Sequence, residues 1–324
     1  MALRFGLVGT GYWAQEAHAT ALAAHDDADL VGVWGRDPAK TEAAAARFGI
    51  AGYTDLDGLL AEVDAVAMAV PPDVQAELAV RAATAGRHLL LDKPLALSLD
   101  GADKVAEAVA AGGVASLVFF TLRFLPEVAT WMEETGGAGG WHGGDGAWLG
   151  TALEPGSPFA DSPWRQRKGA LWDLGPHLLA LTIPTLGPVE RVTAGTGLGD
   201  TVHLILGHDG GASSILTLSQ TVPPAAEGRS FQLYGPQGRS AVPPFELAHL
   251  VALDEAIRQL VAMVAAGATT HPCDVRLGRD TVAVLDAAER FLSTGPDLGA
   301  ARVVRQEGSR PRTGAVRERS RTPR

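Results

Sequence analysis

A chain of 324 residues, 46% hydrophobic and 20% charged, has the balance of a folded protein long enough for two cores. Its single cysteine, Cys273, excludes an internal disulfide framework and fits a reducing, cytoplasmic setting. The formal net charge of −10 hides eight arginines against two glutamates in residues 302–324, which leaves −16 on the rest and argues against nucleic acid as a main partner.

Residues 3–9, LRFGLVG, read as a short buried strand that runs into Gly9-Thr10-Gly11-Tyr12-Trp13-Ala14 and a helix. A second strand, DLVGVWG, follows at about 29–35, then an alanine-rich helix, the strand DAVAMAV at 64–70, another helix, and the strand HLLLD at 88–92. Strands written as continuous apolar runs and alternating with helices specify a parallel sheet covered on both faces. From about residue 118 the grammar changes. LVFFTLRF, GAWLGTAL, VERVTAGTG, TVHLILGHDG, ASSILTLSQTV and SFQLYGPQG read as successive strands of an open, mainly antiparallel sheet. Its helices are GALWDLGPHLLAL, LVALDEAIRQLVAMVAAG and GRDTVAVLDAAERFL, and the glycine-dense stretch 136–150 reads as a mobile loop. No apolar run is long enough to span a bilayer, so no membrane association is expected. The predicted fold class is α/β: a Rossmann-type domain over 1–117, an α+β domain built on an open, mainly antiparallel sheet over 118–305, and a disordered basic tail over 306–324.

GTGYWA matches G-x-G-x-x-A directly after a strand and before a helix. Gly9 permits the tight turn, Gly11 admits a pyrophosphate, and Ala14 lets helix pack on strand, with the helix N–H groups facing the anion. Thr10, Tyr12 and Trp13 belong to the same predicted cofactor loop. At the end of the second strand, Gly35 stands where NAD-specific sites place a ribose-binding carboxylate, followed by Arg36 and, in the next helix, Lys40. These favour the 2′-phosphate of NADP(H) over NAD(H). The alternative is that Asp37 takes the ribose and the two cations are surface charges.

Asp92-Lys93-Pro94 resembles the Glu-Lys-Pro signature of the Gfo/Idh/MocA oxidoreductase family, and GALWDLGPH resembles its G-G-x-x-x-D-x-G-x-H signature. VPPDVQAELAVRAATAGRHLLLDKPLAL, TLRFLP, PWR and HPCDVRLGRDTVAVLDAAE extend the likeness over roughly residues 3–300. The resemblance implies a catalytic Lys93, Asp173 and His177, with Lys93 polarising the substrate oxygen, His177 exchanging a proton, and Asp173 holding a hydroxyl or orienting the imidazole. It adds Ala69, Pro71, Asp92 and Lys93 to the cofactor site, and Arg123, Trp164 and Arg165 to the substrate pocket. Four departures stand out: Asp92 for Glu, Gln75 where relatives carry His, Gly169-Ala170 for Gly-Gly, and Pro176 inside a helix. Gln75 is expected to remove a polar contact, and Pro176 to require a helix starting no earlier than about Leu171.

The implied function is an NADP(H)-dependent oxidoreductase interconverting a secondary alcohol and a ketone of a sugar, polyol or similar cyclic substrate. Alternatives are reduction of a C=N or C=C bond on the same scaffold, or a non-catalytic nucleotide-sensing regulator. The histidines lack metal-ligand spacing, so no metal is expected. The resemblance further implies a homodimer or homotetramer formed through the second sheet.

Overall fold

The computed structural model describes residues 2–294 and 301–302; the predicted tail over 306–324 lies outside them. Strands β1 (Leu3–Val8), β2 (Ala28–Trp34), β3 (Ala51–Tyr53), β4 (Ala65–Met68), β5 (His88–Asp92) and β6 (Ser116–Phe119) form a wholly parallel sheet in the order β3-β2-β1-β4-β5-β6. The order reverses between β1 and β4, and the crevice beyond the carboxyl ends there is where open α/β sheets take ligands. The crossovers are a π-helical segment, Ala14–Ala19, with α1 (Thr20–Ala24), then α2 (Pro38–Phe48), α3 (Leu56–Glu62), α4 (Pro72–Thr84) and α5 (Leu99–Gly112). Asp37 caps α2, accepting from the N–H groups of Ala39 and Lys40, and Pro38 begins its first turn.

LVFFTLRF does not open the second sheet. Its first half supplies β6, and Thr121–Phe124 turns into a short 3-10 helix. All four residues of β6 are buried, because helices α8 (His249–Ala265) and α9 (Val275–Thr294) both pack on it. That is why the run is apolar throughout rather than alternating.

The glycine-dense stretch is not a loop either. It spans the end of α6 (Pro126–Ala138) and strand β7 (Gly143–Leu149). A Cβ at Gly144 would lie 2.8 Å from the carbonyl of Gln232, and one at Gly146 2.8 Å from the ring of Phe231, so these glycines report close strand packing.

Helix α7 (Pro163–Leu186) is broken at Gly169, whose φ of 61° and ψ of −162° suit glycine alone. The helix restarts at Ala170, whose N–H is capped by Asp200 Oδ2 at 3.1 Å. Pro176 therefore lies beyond the first turn, where its ring denies the Trp172 carbonyl its helical partner. The segment thus begins one residue before the expected bound of about Leu171.

The second sheet runs β12-β11-β7-β10-β9-β8-β13, with β8 (Val189–Thr196), β9 (Val202–His208), β10 (Ser213–Ser219), β11 (Gly228–Gly235), β12 (Gly238–Ala241) and β13 (Ala301–Arg302). Its pairs are antiparallel except β7 with β10, which lie parallel because α7 and the β8–β9 pair intervene between them in sequence. Helix α7 packs on β7, β9 and β10. The other face is open: Ile205 and Ile215, directly opposite each other across β9 and β10, are 53% and 52% exposed. Among the described residues no helix is long and apolar enough to cross a membrane.

Candidate active site

Lys93 follows the last residue of β5, at the carboxyl edge of the parallel sheet, and Asp173 and His177 lie one turn apart on α7. The three line one cavity of about 320 Å³, together with Arg165, Trp148 and Gln220. Lys93 Nζ donates to both the main-chain carbonyl and Oδ1 of Asp173, each at 2.7 Å. Asp173 Oδ2 accepts from Arg165 Nε and Gln220 Nε2, both at 2.9 Å. Burial alone would raise the Asp173 carboxyl, yet the Lys93 and Arg165 charges and the Lys93 hydrogen bond hold it well below the usual carboxylate range.

His177 makes no hydrogen bond to Asp173; its ring stacks on Trp148 with centroids 4.5 Å apart, and its buried Nδ1 has no partner among the described residues. Burial first, and the Lys93 charge second, push the imidazole well below its ordinary value, so it is neutral at pH 7. Of the two roles expected for Asp173, orienting the imidazole is therefore not the one this geometry serves: the carboxylate anchors the ammonium. An ammonium has three donors, and Asp173 takes two of them.

The turn carrying Lys93 is braced from behind. Asp92 accepts the main-chain N–H of Lys93 at 2.7 Å and the indole N–H of Trp13 at 2.7 Å. Gln75, only 1% exposed, donates to the carbonyls of Asp92, Pro94 and Leu95 and accepts from the Asp92 N–H. It does not remove a polar contact, as expected from sequence; its amide satisfies the turn's main chain on both sides. The Lys93–Pro94 peptide bond is cis.

A second cavity of about 320 Å³ adjoins the first, sharing Trp13, Asp92, Pro158, Phe159 and Arg165. Its other lining residues include Gly11, Tyr12, Ala69, Pro71 and Trp164. The residues fit a dinucleotide. Gly9, at φ 130°, leaves no room for a Cβ, which would overlap the Ala69 carbonyl, while a Cβ on Gly11 would meet open space where a pyrophosphate can approach. Gly35 is buried, and a Cβ there would lie 2.6 Å from the side chains of both Thr10 and Thr41. Gly35, Arg36 and Lys40 line neither cavity; the two cations are exposed, and Asp37 Oδ1 caps α2.

Two predicted substrate residues lie elsewhere. Arg123 does not line the cavity; its Nη1 donates to the Ala180 carbonyl at 2.9 Å and braces α7. Trp164 is buried on the cofactor side, stacked under the Arg165 guanidinium. Sequence reasoning missed Gln220, Trp148, Arg229 and His249, which reach the cavity from β10's end, β7, β11 and the start of α8. No local motif marks them, because each is one polar or aromatic residue in an ordinary element. Among the described residues no group of three or more His, Cys, Asp or Glu side chains is placed to hold a metal ion. Burial pushes the Cys273 thiol up to about 11, so it is no nucleophile at neutral pH.

Residues 3–120 match a family model for an oxidoreductase family with an NAD-binding Rossmann fold, and residues 142–241 match the GFO/IDH/MocA C-terminal domain. Among curated proteins, an inositol 2-dehydrogenase of Rhizobium meliloti is 35% identical over 127 residues, 39% of this chain and 38% of that one. A levoglucosan dehydrogenase of Pseudarthrobacter phenanthrenivorans is 30% identical over 213 residues, 59% of this chain and 53% of that one. The aligned part thus spans about half or less of these relatives' own length. Among solved structures, the WlbA dehydrogenase from Bordetella pertussis in complex with NADH and UDP-GlcNAcA superposes with a TM-score of 0.79 at 24% identity, covering 94% of this chain and 100% of that one. A levoglucosan dehydrogenase complexed with NADH and levoglucosan gives 0.79 at 18% identity, with the same coverage. These structures share the fold.

Proposed function

The chain belongs to the Gfo/Idh/MocA oxidoreductase family, and from that premise we propose that it interconverts a secondary alcohol and a ketone on an uncharged sugar, polyol or similar cyclic substrate. The observation that carries this reading is the Lys93 ammonium seated on Asp173 beside a neutral His177, in a cavity next to the dinucleotide crevice. Nicotinamide, when bound, supplies the hydride chemistry. Lys93 directs its remaining N–H to the substrate oxygen, and Asp173 fixes that ammonium in place. In the oxidising direction His177 takes up the hydroxyl proton; in the reducing direction it returns one. Stacking on Trp148 holds the ring plane. The lining carries three cations (Lys93, Arg165, Arg229) and three carboxylates (Asp92, Asp173, Glu227), a balance that suits a neutral substrate.

The cofactor read from these residues is NADP(H) in preference to NAD(H). Gly35 offers no acceptor to a ribose hydroxyl, Asp37 Oδ1 already accepts two main-chain N–H groups at the head of α2, and Arg36 and Lys40 are exposed and available to a 2′-phosphate. The open face around Ile205 and Ile215 suits a homodimer or homotetramer, and the single buried thiol suits the cytoplasm.

The test is nicotinamide absorbance during incubation with a panel of inositols, anhydrosugars and hexoses, for the wild type and Lys93→Ala. Turnover abolished by the substitution supports the reading. Cofactor binding with no turnover across the panel would instead favour a nucleotide-sensing protein.

A further inference from the structure

Arg229 and Trp148 stand directly opposite each other in the antiparallel β11–β7 pair, so their side chains leave the sheet on the same face. That face meets α7, because the Trp148 indole lies on the His177 ring with centroids 4.5 Å apart and planes 24° from parallel. The Arg229 guanidinium carbon sits over the same indole, 5.1 Å from its centroid. Arg229 Nη2 also donates to Glu227 Oε1 at 3.4 Å, which tethers the guanidinium at the start of β11. Arg229, Trp148 and His177 thus form one stack that runs from the second sheet to α7, and all three line the cavity that holds Lys93.

An imidazole that exchanges protons is ordinarily oriented by a hydrogen bond from its second ring nitrogen. His177 has no such bond, since its buried Nδ1 is without a partner among the described residues. The carboxylate one turn away is committed elsewhere: Asp173 accepts from Lys93 on Oδ1 and from Arg165 and Gln220 on Oδ2. Orientation therefore falls to ring packing, and Trp148 supplies it. A cation over an indole face is attracted by the ring's quadrupole and favours one placement of that ring. The charged and titratable groups facing His177 are Lys93 from the turn after β5, Asp173 from its own helix, His249 from α8 and Arg229 from β11. Of these, Arg229 is the one that shares the indole with it. A protonated His177 would set a second cation against that indole, so the stack also favours the neutral ring.

We propose that Arg229 is a positioning residue for the reaction: its guanidinium pins Trp148, and Trp148 in turn fixes the ring of His177 at the cavity wall. This rests on reading His177 as the group that exchanges the substrate proton. The guanidinium–indole–imidazole stack takes the place of the missing Nδ1 hydrogen bond. Arg229 then has a task in the cavity without an anionic group on the substrate.

The experiment follows the His177 ring by NMR in the full chain carrying isotope-labelled histidine, and measures kinetics separately. The signal is assigned by its loss in His177→Gln, and its displacement by the Trp148 ring current reports the stack. In Arg229→Gln that displacement should shrink, and the ring should take up its proton at a higher pH than in the wild type. Turnover should fall about tenfold or more, with KM changed less than about twofold, as for a misplaced reacting group. Arg229→Lys keeps a cation over the indole and should recover part of both effects. Trp148→Leu should reproduce the loss in kcat, and adding Arg229→Gln to it should cost little more, because the two residues act in series. A His177 signal and titration unmoved in Arg229→Gln would overturn the proposal. So would a raised KM with kcat kept, which would make Arg229 a substrate contact, or fully additive losses in the double variant. A His177 signal that responds to Arg229→Gln in a protein without turnover would leave the stack standing and overturn the reading of His177 as proton carrier, and with it the catalytic role of Arg229. Arg229 is part-exposed, so the Arg229→Gln comparison stands if Trp148→Leu does not fold.

Discussion

Lys93 and Asp173, eighty residues apart and carried by different sheets' connections, meet at 2.7 Å, with the ammonium bonded to both the side chain and the main chain of the aspartate. Loop and helix are thereby joined across the cavity by one buried ion pair. Asp173→Asn keeps the shape and removes the charge. It leaves Lys93 and Arg165 facing a neutral amide, and breaking such a buried pair costs about 3 kcal/mol. Turnover should fall by about 10²–10³, the range for losing one pre-organised electrostatic contact, and urea unfolding should show the lower stability. Full activity in Asp173→Asn would remove the aspartate from the mechanism.

The pH dependence has a definite sign. Burial lowers His177, and also His88, His208, His249 and His271, below their ordinary values in the folded chain. Unfolded imidazoles take up protons as the pH falls through about 6.5, and the folded ones resist, so stability is fully present above that value and declines as the medium is acidified. Asp173 acts in the same sense at lower pH: its ionised form is favoured in the fold, and that contribution is lost as the pH falls through and below the carboxylate range. Urea midpoints between about pH 5 and 8 should rise with pH, and His177→Gln should flatten the slope. An unchanged slope would mean that His177 titrates normally.

The proposed preference for NADP(H) is tested at the exposed Arg36. Arg36→Gln should raise the KM for NADP⁺ about tenfold or more, the worth of a charge-assisted bond to phosphate, and leave that for NAD⁺ nearly unchanged. Equal effects on both would assign Arg36 to the surface and return the ribose to Asp37.

Asp200 accepts three donors on Oδ1 and the Ala170 N–H on Oδ2. In Asp200→Asn one donor meets an amide N–H₂ instead of an oxygen. The helix head then loses its cap, at a cost of about 1–2 kcal/mol, and Gln220 loosens. Thermal unfolding should fall by a few degrees, and turnover should fall with it as Gln220 loosens its hold on Asp173. Wild-type kinetics with normal stability would show that the cap is dispensable.

The exposed Ile205–Ile215 pair on the open sheet makes the oligomer testable. Ile205→Glu places a charge on that exposed pair; if the wild type is the proposed dimer or tetramer, sedimentation of the variant should report monomers. A wild-type monomer would overturn the assignment of that face.

Much of the molecule was legible in local sequence. Continuous apolar strands and GTGYWA specify a covered parallel sheet with a glycine turn at its head, because burial on both faces and close anion approach constrain neighbouring residues directly. LLLDKP and WDLGPH placed Lys93, Asp173 and His177, since each sits at a strand end or on one helix turn. What local pattern does not encode is which distant element supplies a partner. The apolar run of β6 reads the same whether it closes one sheet or opens another, and the glycines of β7 read as a loop until β10 and β11 press against them. Arg123 looked like a pocket residue and braces α7; Gln75 looked like a loss and stitches the lysine turn. Gln220 and Asp200 carried no signal at all. Their roles arise only when chain folding brings β10's end and the β8–β9 loop to the head of α7, because hydrogen-bond satisfaction is a property of three-dimensional neighbours.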